Sequence, residues 1–197
     1  MRVFLAVVLL IFSLQSWARA DDISEFEIEG MSIGDSLLDY LSEQEIISEI
    51  EINKPSYSYL NNDFGEVYLF SNFDIYDRLA FMVKPKDKHY TIYSIKGSIS
   101  YDDKLEECFT KQKEIEKEFS SMFKYAKKRK GTLKFDWDPT GESVSHNIEF
   151  AFDSGGYSEI NCTKYKKSLK IENGWKDSLQ VIISTKEIFD WFNNPIN

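Results

Sequence analysis

The chain has 197 residues, and its 33 acidic side chains outnumber the 24 basic ones, which gives a formal charge of −9. This balance argues against a general nucleic-acid-binding protein, because such proteins present basic surfaces to the phosphates. No linker, internal repeat or low-complexity tract divides the chain after its first twenty residues. Residues 21–197 are therefore expected to form a single domain of ordinary size.

The first twenty residues have the three parts of a secretory signal peptide. Arg2 supplies a positive start, residues 3–17 are almost wholly apolar, and Ala18 and Ala20 are small residues at the positions that a signal peptidase reads. A membrane anchor is the alternative, but the run is shorter than the roughly 20 apolar residues that a span needs. We expect cleavage after Ala20, a mature formal charge of about −11, no transmembrane segment after cleavage, and a periplasmic or secreted location.

Two short helices and three strands are expected in the first half of the mature chain. An N-cap at Ser32 and a capping box at Ser42 and Glu45 predict short helices within residues 33–50. An extended segment at residues 57–60 follows. Runs of β-branched and aromatic residues, separated by polar breaks, then predict strands over residues 67–70, 79–83 and 90–101.

The clearest element is an amphipathic helix over about residues 103–128. Its apolar side chains recur three and four positions apart, and lysines and glutamates fill the other side. Strands are then expected over residues 132–137, 144–152, 157–165 and 179–184, and a capping box at Ser184 and Glu187 predicts a last short helix. This order indicates the α+β class: an antiparallel β-sheet with one long amphipathic helix packed on a face and short helices at the N- and C-terminal ends.

The two cysteines, Cys108 and Cys162, are expected to form a disulfide. An even number of cysteines in an exported chain favours pairing, and the alternative is two buried thiols. The bridge would close a loop of about 54 residues, for which the chain-entropy relation gives about 4 kcal/mol of stabilisation. Neither cysteine has the Cys-x-x-Cys spacing of redox enzymes.

No catalytic or metal-binding constellation stands out in the sequence. The two histidines, His89 and His146, lie in no recognisable hydrolase motif. The acidic segment at residues 136–142 matches a calcium loop poorly, and a turn explains it. We therefore assign no catalytic residue, metal ligand or cofactor, although a pair of carboxylates that meet across a cleft stays open.

Two groups of basic residues stand out against the acidic chain. If they adjoin in the fold, they form a site for an anionic partner; otherwise they are ordinary solvated charge. The candidate anion-binding or partner-binding residues are Lys127, Lys128, Arg129, Lys130, Lys164, Lys166, Lys167 and Lys170.

Three segments resemble an uncharacterised family of small exported proteins of the bacterial periplasm. They are residues 27–38 (EIEGMSIGDSLL), 106–108 (EEC) and 184–191 (STKEIFDW). The resemblance covers most of the mature chain and implies a periplasmic location, with no functional residue to transfer. The Gly-Met-Ser-Ile-Gly segment at residues 30–34 is also similar to the BamE-type envelope assembly lipoproteins, which pack short helices on an antiparallel sheet, but the chain lacks their lipidated cysteine.

These observations favour a non-enzymatic periplasmic binding or protein-interaction module whose partner is an envelope protein or a glycan. Two alternatives stay open: a carboxylate-dependent hydrolase acting on an envelope polymer, and a structural envelope protein. Aromatic residues make up 15% of the chain, and an aromatic-lined groove without buried acids would favour binding. Two carboxyl groups in a cleft, one of them with a raised pKa, would favour the hydrolase.

Overall fold

The computed structural model describes Ile23 and residues 26–195. The predicted signal peptide and its cleavage site after Ala20 lie outside the described residues. In the described part of the chain, no helix combines the length and the hydrophobicity needed to cross a membrane.

The described residues form four α-helices, nine β-strands and two short 3-10 helices. The 3-10 helices are Leu37–Asp39 and Lys54–Tyr57. The α-helices are α1 (Glu43–Asn53), α2 (Leu105–Met122), α3 (Lys167–Asn173) and α4 (Lys186–Phe192). The strands are β1 (Glu27–Ile28), β2 (Met31–Ser32), β3 (Gly65–Leu69), β4 (Arg78–Val83), β5 (Ile92–Ser100), β6 (Lys127–Lys134), β7 (Val144–Ala151), β8 (Tyr157–Lys164) and β9 (Ser178–Ser184).

Seven strands form one antiparallel sheet in the order β3-β4-β5-β9-β8-β7-β6. Strands β3 to β5 follow one another across one half, and β6 to β8 run back across the other half from the far edge. Strand β9 comes last and fills the gap between β5 and β8. The expected α+β class with a large antiparallel sheet is confirmed.

One face of the sheet is apolar and carries the main core. Successive side chains of a strand point to opposite faces, and the register places Ile95, Ile160, Val181 and Ile183 on the same side. All four are buried in the main hydrophobic cluster. Helix α2 contributes to this side through its buried residues, which are Cys108, Gln112, Ile115 and Phe119. We call this side the apolar face.

Two links tie α2 to the sheet. Cys108 and Cys162 lie at disulfide-bonding distance with their Cα atoms 6.0 Å apart, so the expected pairing is confirmed. Gln112 Nε2 donates hydrogen bonds to the backbone oxygens of His146 at 2.6 Å and Ile160 at 2.9 Å. These bonds satisfy buried carbonyl groups that would otherwise face the helix.

The layout of the helices differs from the expected one. Helix α2 ends at Met122 instead of continuing to residue 128, and the chain then forms the edge strand β6. Phe123 turns inward after the helix and packs against Phe152, with 4.8 Å between the ring centroids. Every residue of β6 is exposed, so the strand lacks the alternation that marks a half-buried strand. Helix α3 lies between β8 and β9, where no element was expected from the sequence.

Two local expectations are also wrong. The 3-10 helix Lys54–Tyr57, with Pro55 in its first turn, occupies part of the expected extended segment, because the fixed φ of proline suits a helix start. Thr185 rather than Ser184 precedes α4 as its N-cap, since Ser184 Oγ is hydrogen-bonded to Ser94 Oγ at 2.6 Å. The capping box of Ser42 at the start of α1 is confirmed.

Candidate ligand-binding groove on the polar face

The opposite face of the sheet is polar at its centre. The strand register aligns its side chains in two rows, each of which crosses five neighbouring strands. The first row, from β6 to β5, contains Arg129, Glu149, Glu159, Ile182 and Lys96. The second row, from β7 to β4, contains Asn147, Asn161, Gln180, Ser98 and Arg78. We call this side the polar face and the two rows its floor.

Helix α4 closes one end of the polar face. A second apolar cluster forms there from Leu60, Phe64, Met82, Ile188 and Trp191. The indole Nε1 of Trp191 donates to Asn61 Oδ1 at 2.7 Å, which satisfies the polar atom of an otherwise apolar ring. Burial and this hydrogen bond hold α4 against the sheet.

Four aromatic rings, Phe135, Trp137, Tyr165 and Trp175, form the aromatic wall at the other end. Phe135 stacks on Trp137 with 4.7 Å between centroids, and Trp175 lies 5.4 Å from Trp137 and 5.0 Å from Tyr165. The two tryptophans remain 49% and 40% exposed. Gly174 ends α3 with a φ of 68°, a left-handed conformation that favours glycine, and so directs the chain to Trp175.

Asp177 anchors the aromatic wall to the sheet. Its buried carboxylate accepts hydrogen bonds from the backbone N–H of Tyr165 at 2.8 Å and from Lys170 Nζ at 2.9 Å. Lys170 also pairs with Asp103. Burial alone would lower the pKa of Lys170, but the two carboxylates outweigh it and raise that pKa. Lys170 therefore holds α3 and the wall in place.

The first recess of the polar face lies beside the aromatic wall and has a volume of about 310 Å³. Its polar floor is formed by Arg78, Ser98 and Gln180, which are direct neighbours on three adjoining strands, and Tyr165 and Trp175 form one side. Ser98 is only 4% exposed, yet its Oγ has no hydrogen-bond partner among the described residues. Burying a hydroxyl without a hydrogen-bond partner lowers the stability of the fold. The Ser98 hydroxyl at this recess therefore lacks a hydrogen bond that would stabilise it.

The second recess lies beside α4 and has a volume of about 680 Å³. Glu149 and Glu159 line it from neighbouring strands, where they are directly opposite each other. Their Cβ atoms are therefore expected about 5 Å apart. The rings of Tyr157, Phe189 and Phe192 also line this recess, as does Arg129, which is directly opposite Glu149 on β6.

The pKa of Glu159 is raised. Burial is the largest cause; a hydrogen bond from Asn161 Nδ2 to Glu159 Oε1 at 2.7 Å opposes it, and the negative charge of Glu149 adds to it. Among the described residues, neither glutamate forms an ion pair with a lysine or arginine. With Arg129 beside Glu149 and Glu159, the charged lining of the second recess has one negative charge in excess, and the pKa of one of its carboxyl groups is raised.

A short chain of hydrogen bonds orders the floor between the recesses. Thr163 Oγ1 donates to Asn161 Oδ1 at 3.2 Å, and Ser145 Oγ donates to Asn147 Oδ1 at 2.6 Å. Both bonds use the amide oxygens. Within the described chain, the Asn147 amide N–H groups and the Gln180 amide have no protein hydrogen-bond partner, so they remain available to a ligand.

The structure does not bring the two basic groups together. Residues 127–130 begin β6 at the end of the sheet where β7 ends at Ala151 and β8 begins at Tyr157. Lys164 lies at the opposite end of β8. Lys128 and Lys130 both pair with Glu116 on α2, at 2.9 and 2.6 Å. On the other side, Lys166 pairs with Glu142 and Lys170 with Asp103 and Asp177. An anion site built from these lysines stays a prediction.

The acidic turn near residue 138 has a structural explanation. Asp138 is buried, and its carboxylate accepts bonds from Ser143 N at 2.7 Å, Thr140 N at 3.1 Å and Thr140 Oγ1 at 2.6 Å. These hydrogen bonds, led by those of the Thr140 and Ser143 side chains, hold the pKa of Asp138 well below its usual range. Over the described residues, no group of three or more His, Cys, Asp or Glu is arranged to hold a metal ion.

The residues of the floor were not identified from the sequence. Their signal is present: in β5, polar residues alternate through Ser94, Lys96, Ser98 and Ser100, which indicates a strand with one polar side. Alternation alone cannot tell a groove from an ordinary solvated face. The distinction comes from the aromatic wall and α4, which enclose the floor and come from distant parts of the chain.

Comparison of the chain with models of protein families, with curated proteins and with solved structures finds no match. No functional residue is therefore carried over from another protein. The site is defined by its own cavity, hydrogen-bonding groups and charges.

Proposed function

We propose that this protein is a non-enzymatic binding module of the bacterial periplasm that holds a saccharide chain across the polar face. The signal peptide expected at residues 1–20 and the disulfide of Cys108 and Cys162 support export to an oxidising compartment. The chemistry of the floor and of the aromatic wall supports a saccharide as the ligand.

The Ser98 hydroxyl carries this proposal. It is buried and has no partner among the described residues, and Ser98 is part of the lining of the first recess, between Arg78 and Gln180. A protein keeps such a group at a stability cost unless a ligand or an ordered water completes its hydrogen bonding. A ligand rich in hydroxyl groups can form hydrogen bonds with both the Ser98 hydroxyl and the Gln180 amide.

The aromatic side of the recess supports a sugar ring. The CH-bearing face of a pyranose packs on an aromatic ring while its hydroxyl groups reach polar neighbours, and Trp175 stands 40% exposed beside Ser98 and Gln180. The floor continues to the second recess, so a chain of several sugar units can cross it. Nucleic acid is disfavoured by the formal charge of −9.

The test is a glycan array that includes peptidoglycan fragments and envelope oligosaccharides, probed with the mature, oxidised protein. We expect reproducible binding that Trp175→Ala weakens roughly tenfold, because one ring-stacking contact is removed. Tyr125→Ala is the matched control: it removes a 72% exposed aromatic ring that lines neither recess, and binding persists. A folded protein that binds no saccharide on the array contradicts the proposal.

The pair of Glu149 and Glu159 favours a second candidate, a carboxylate-dependent hydrolase acting on an envelope polymer. A raised pKa suits Glu159 for the role of general acid, with Glu149 as the partner carboxylate. Incubation of the protein with each saccharide that binds, followed by an assay for new reducing ends, separates the candidates. Binding without cleavage supports the binding module; cleavage that is lost in Glu159→Gln supports the hydrolase.

A further inference from the structure

The first recess has a charge opposite to that of the protein as a whole. Its charged lining consists of Asp77, Arg78 and Lys176, which is one positive charge in excess, in a chain with a formal charge of −9. Asp77 Oδ2 already accepts a hydrogen bond from the backbone N–H of Ser100 at 2.6 Å. This bond fixes the Asp77 carboxylate on the Ser100 backbone without removing its charge, so the lining keeps one positive charge in excess.

Arg78 differs from most basic residues of the molecule. Many lysines pair with a carboxylate, and Lys176 itself lies 3.6 Å from Asp102. Among the described residues, no carboxylate lies within ion-pairing distance of Arg78. Its guanidinium group instead lies over the ring of Tyr68, 5.4 Å from the centroid, which holds it in place without neutralising it.

The residues beside Arg78 suit the hydroxyl groups and the ring of a sugar unit. Ser98 is directly opposite Arg78 on β5, and Gln180 is directly opposite Ser98 on β9, so three donors follow one another at the spacing of adjacent strands, about 4.8 Å. A guanidinium group prefers a planar carboxylate, which it binds through two parallel hydrogen bonds. The hydroxyl and the amide suit ring hydroxyls, and Trp175 suits the ring face.

We infer that the first recess recognises a carboxylate-bearing sugar, a uronic acid or a related acidic unit, through Arg78. This inference rests on the proposed saccharide binding and names the ligand class within it. It differs from the lysine-based anion site considered from the sequence, because it uses a single arginine on the polar face and none of those eight residues.

The experiment compares two probes that differ only in charge, tetragalacturonate and its fully methyl-esterified form, with chitotetraose as a neutral reference. Binding is measured by calorimetry at neutral pH and low salt, where surface electrostatics is least screened. The wild-type protein is expected to bind the acid at least tenfold more tightly than the ester. Arg78→Gln is expected to lower the affinity for the acid to that for the ester.

Two further variants keep the test decisive. Lys117→Gln removes a positive charge from the exposed side of α2, which packs on the apolar face, and is expected to keep the preference for the acid. Arg78→Lys keeps the charge but loses the planar fork, and it is expected to keep only part of the preference; it replaces Arg78→Gln if that variant does not fold.

The outcomes separate the inference from the proposed function. Equal affinity of the wild type for acid and ester, or binding of chitotetraose alone, overturns the inference and leaves saccharide binding standing. A preference for the acid that persists in both Arg78 variants also overturns it. Failure of the folded protein to bind any of the three probes counts against both.

Discussion

The two faces of the seven-stranded sheet are formed by the same strands, but their side chains are stabilised in different ways. On the apolar face, side chains such as Ile160 and Val181 satisfy one another by packing. On the polar face, the side chains of Ser98, Gln180 and Arg78 lie side by side, and among the described residues none of them has a hydrogen-bond or ion-pair partner. Alternation along a strand thus lets one sheet carry a core on one side and an open set of binding groups on the other.

The first prediction concerns the link that holds α2 on the apolar face. Replacing both Cys108 and Cys162 with alanine is expected to lower the free energy of unfolding by about 4 kcal/mol under oxidising conditions, because the unfolded chain is no longer constrained by a loop of 54 residues. Denaturant titration of the two proteins measures the difference. Under reducing conditions the wild type should approach the variant, and an unchanged stability would contradict a stabilising bridge.

The second prediction compares neighbours on β9 that point to opposite faces. Leu179→Ala removes a fully buried side chain from the apolar face and is expected to cost about 3 kcal/mol. Gln180→Ala removes a side chain of the polar face that has no protein hydrogen bond within the described chain, and its expected effect is within about 0.5 kcal/mol. Denaturant unfolding checks both values; equal costs would mean that the polar face also supports the fold.

Most strands of the sheet could be predicted from the sequence, whereas the groove on the polar face could not. Runs of β-branched and aromatic residues predict β3 to β5, and alternation at Ile148, Phe150 and Phe152 predicts β7, so the sequence indicates most of the sheet. The sequence predicts a helix up to about residue 128 and a strand only from residue 132. It misses the start of β6 at residue 127 because β6 is an edge strand with no buried residue. Pairing across the sheet is set by contacts between distant segments, which local periodicity does not encode.

The same limit explains why Glu149 and Glu159 were not selected from 33 acidic residues. They are ten positions apart in the sequence, and only the register of β7 and β8 places them opposite each other. The disulfide was predictable for a different reason. With two cysteines in an expected exported chain, only one intramolecular pairing was possible.

The third prediction compares two buried serines on β5. Ser94→Ala breaks the hydrogen bond of Ser94 Oγ with Ser184 Oγ and is expected to cost about 1 kcal/mol. Ser98→Ala removes a buried hydroxyl that has no partner, so the unfolding free energy should stay level or rise slightly, while saccharide affinity falls. Thermal unfolding and a binding titration test both halves. A clear loss of stability in Ser98→Ala would show that its hydroxyl serves the fold.

The fourth prediction uses the pH dependence of Glu159. Burial raises its pKa above the unfolded value of about 4.3, so its ionisation at neutral pH opposes folding; the favourable contribution is complete below the unfolded pKa and is lost as the pH rises through the folded pKa. Glu159→Gln is therefore expected to raise the unfolding midpoint at pH 7, and the gain should disappear below about pH 4.

The matched control for Glu159 is Glu172→Gln, which changes an exposed glutamate of α3 and should leave the midpoint unchanged. Unfolding curves recorded from pH 4 to pH 8 measure both variants. A Glu159→Gln protein that is no more stable than the wild type at pH 7 would contradict an ionised, poorly solvated carboxylate in the second recess.

NMR titration of the ¹⁵N-labelled protein with the strongest binder from the glycan array shows whether a saccharide occupies the polar face. We expect saturable shifts concentrated on the Trp175 indole, the side-chain amides of Gln180 and Asn147, and the backbone of β5 and β9. Shifts confined to the exposed side of α2 or to the outer edge of β6 would contradict it.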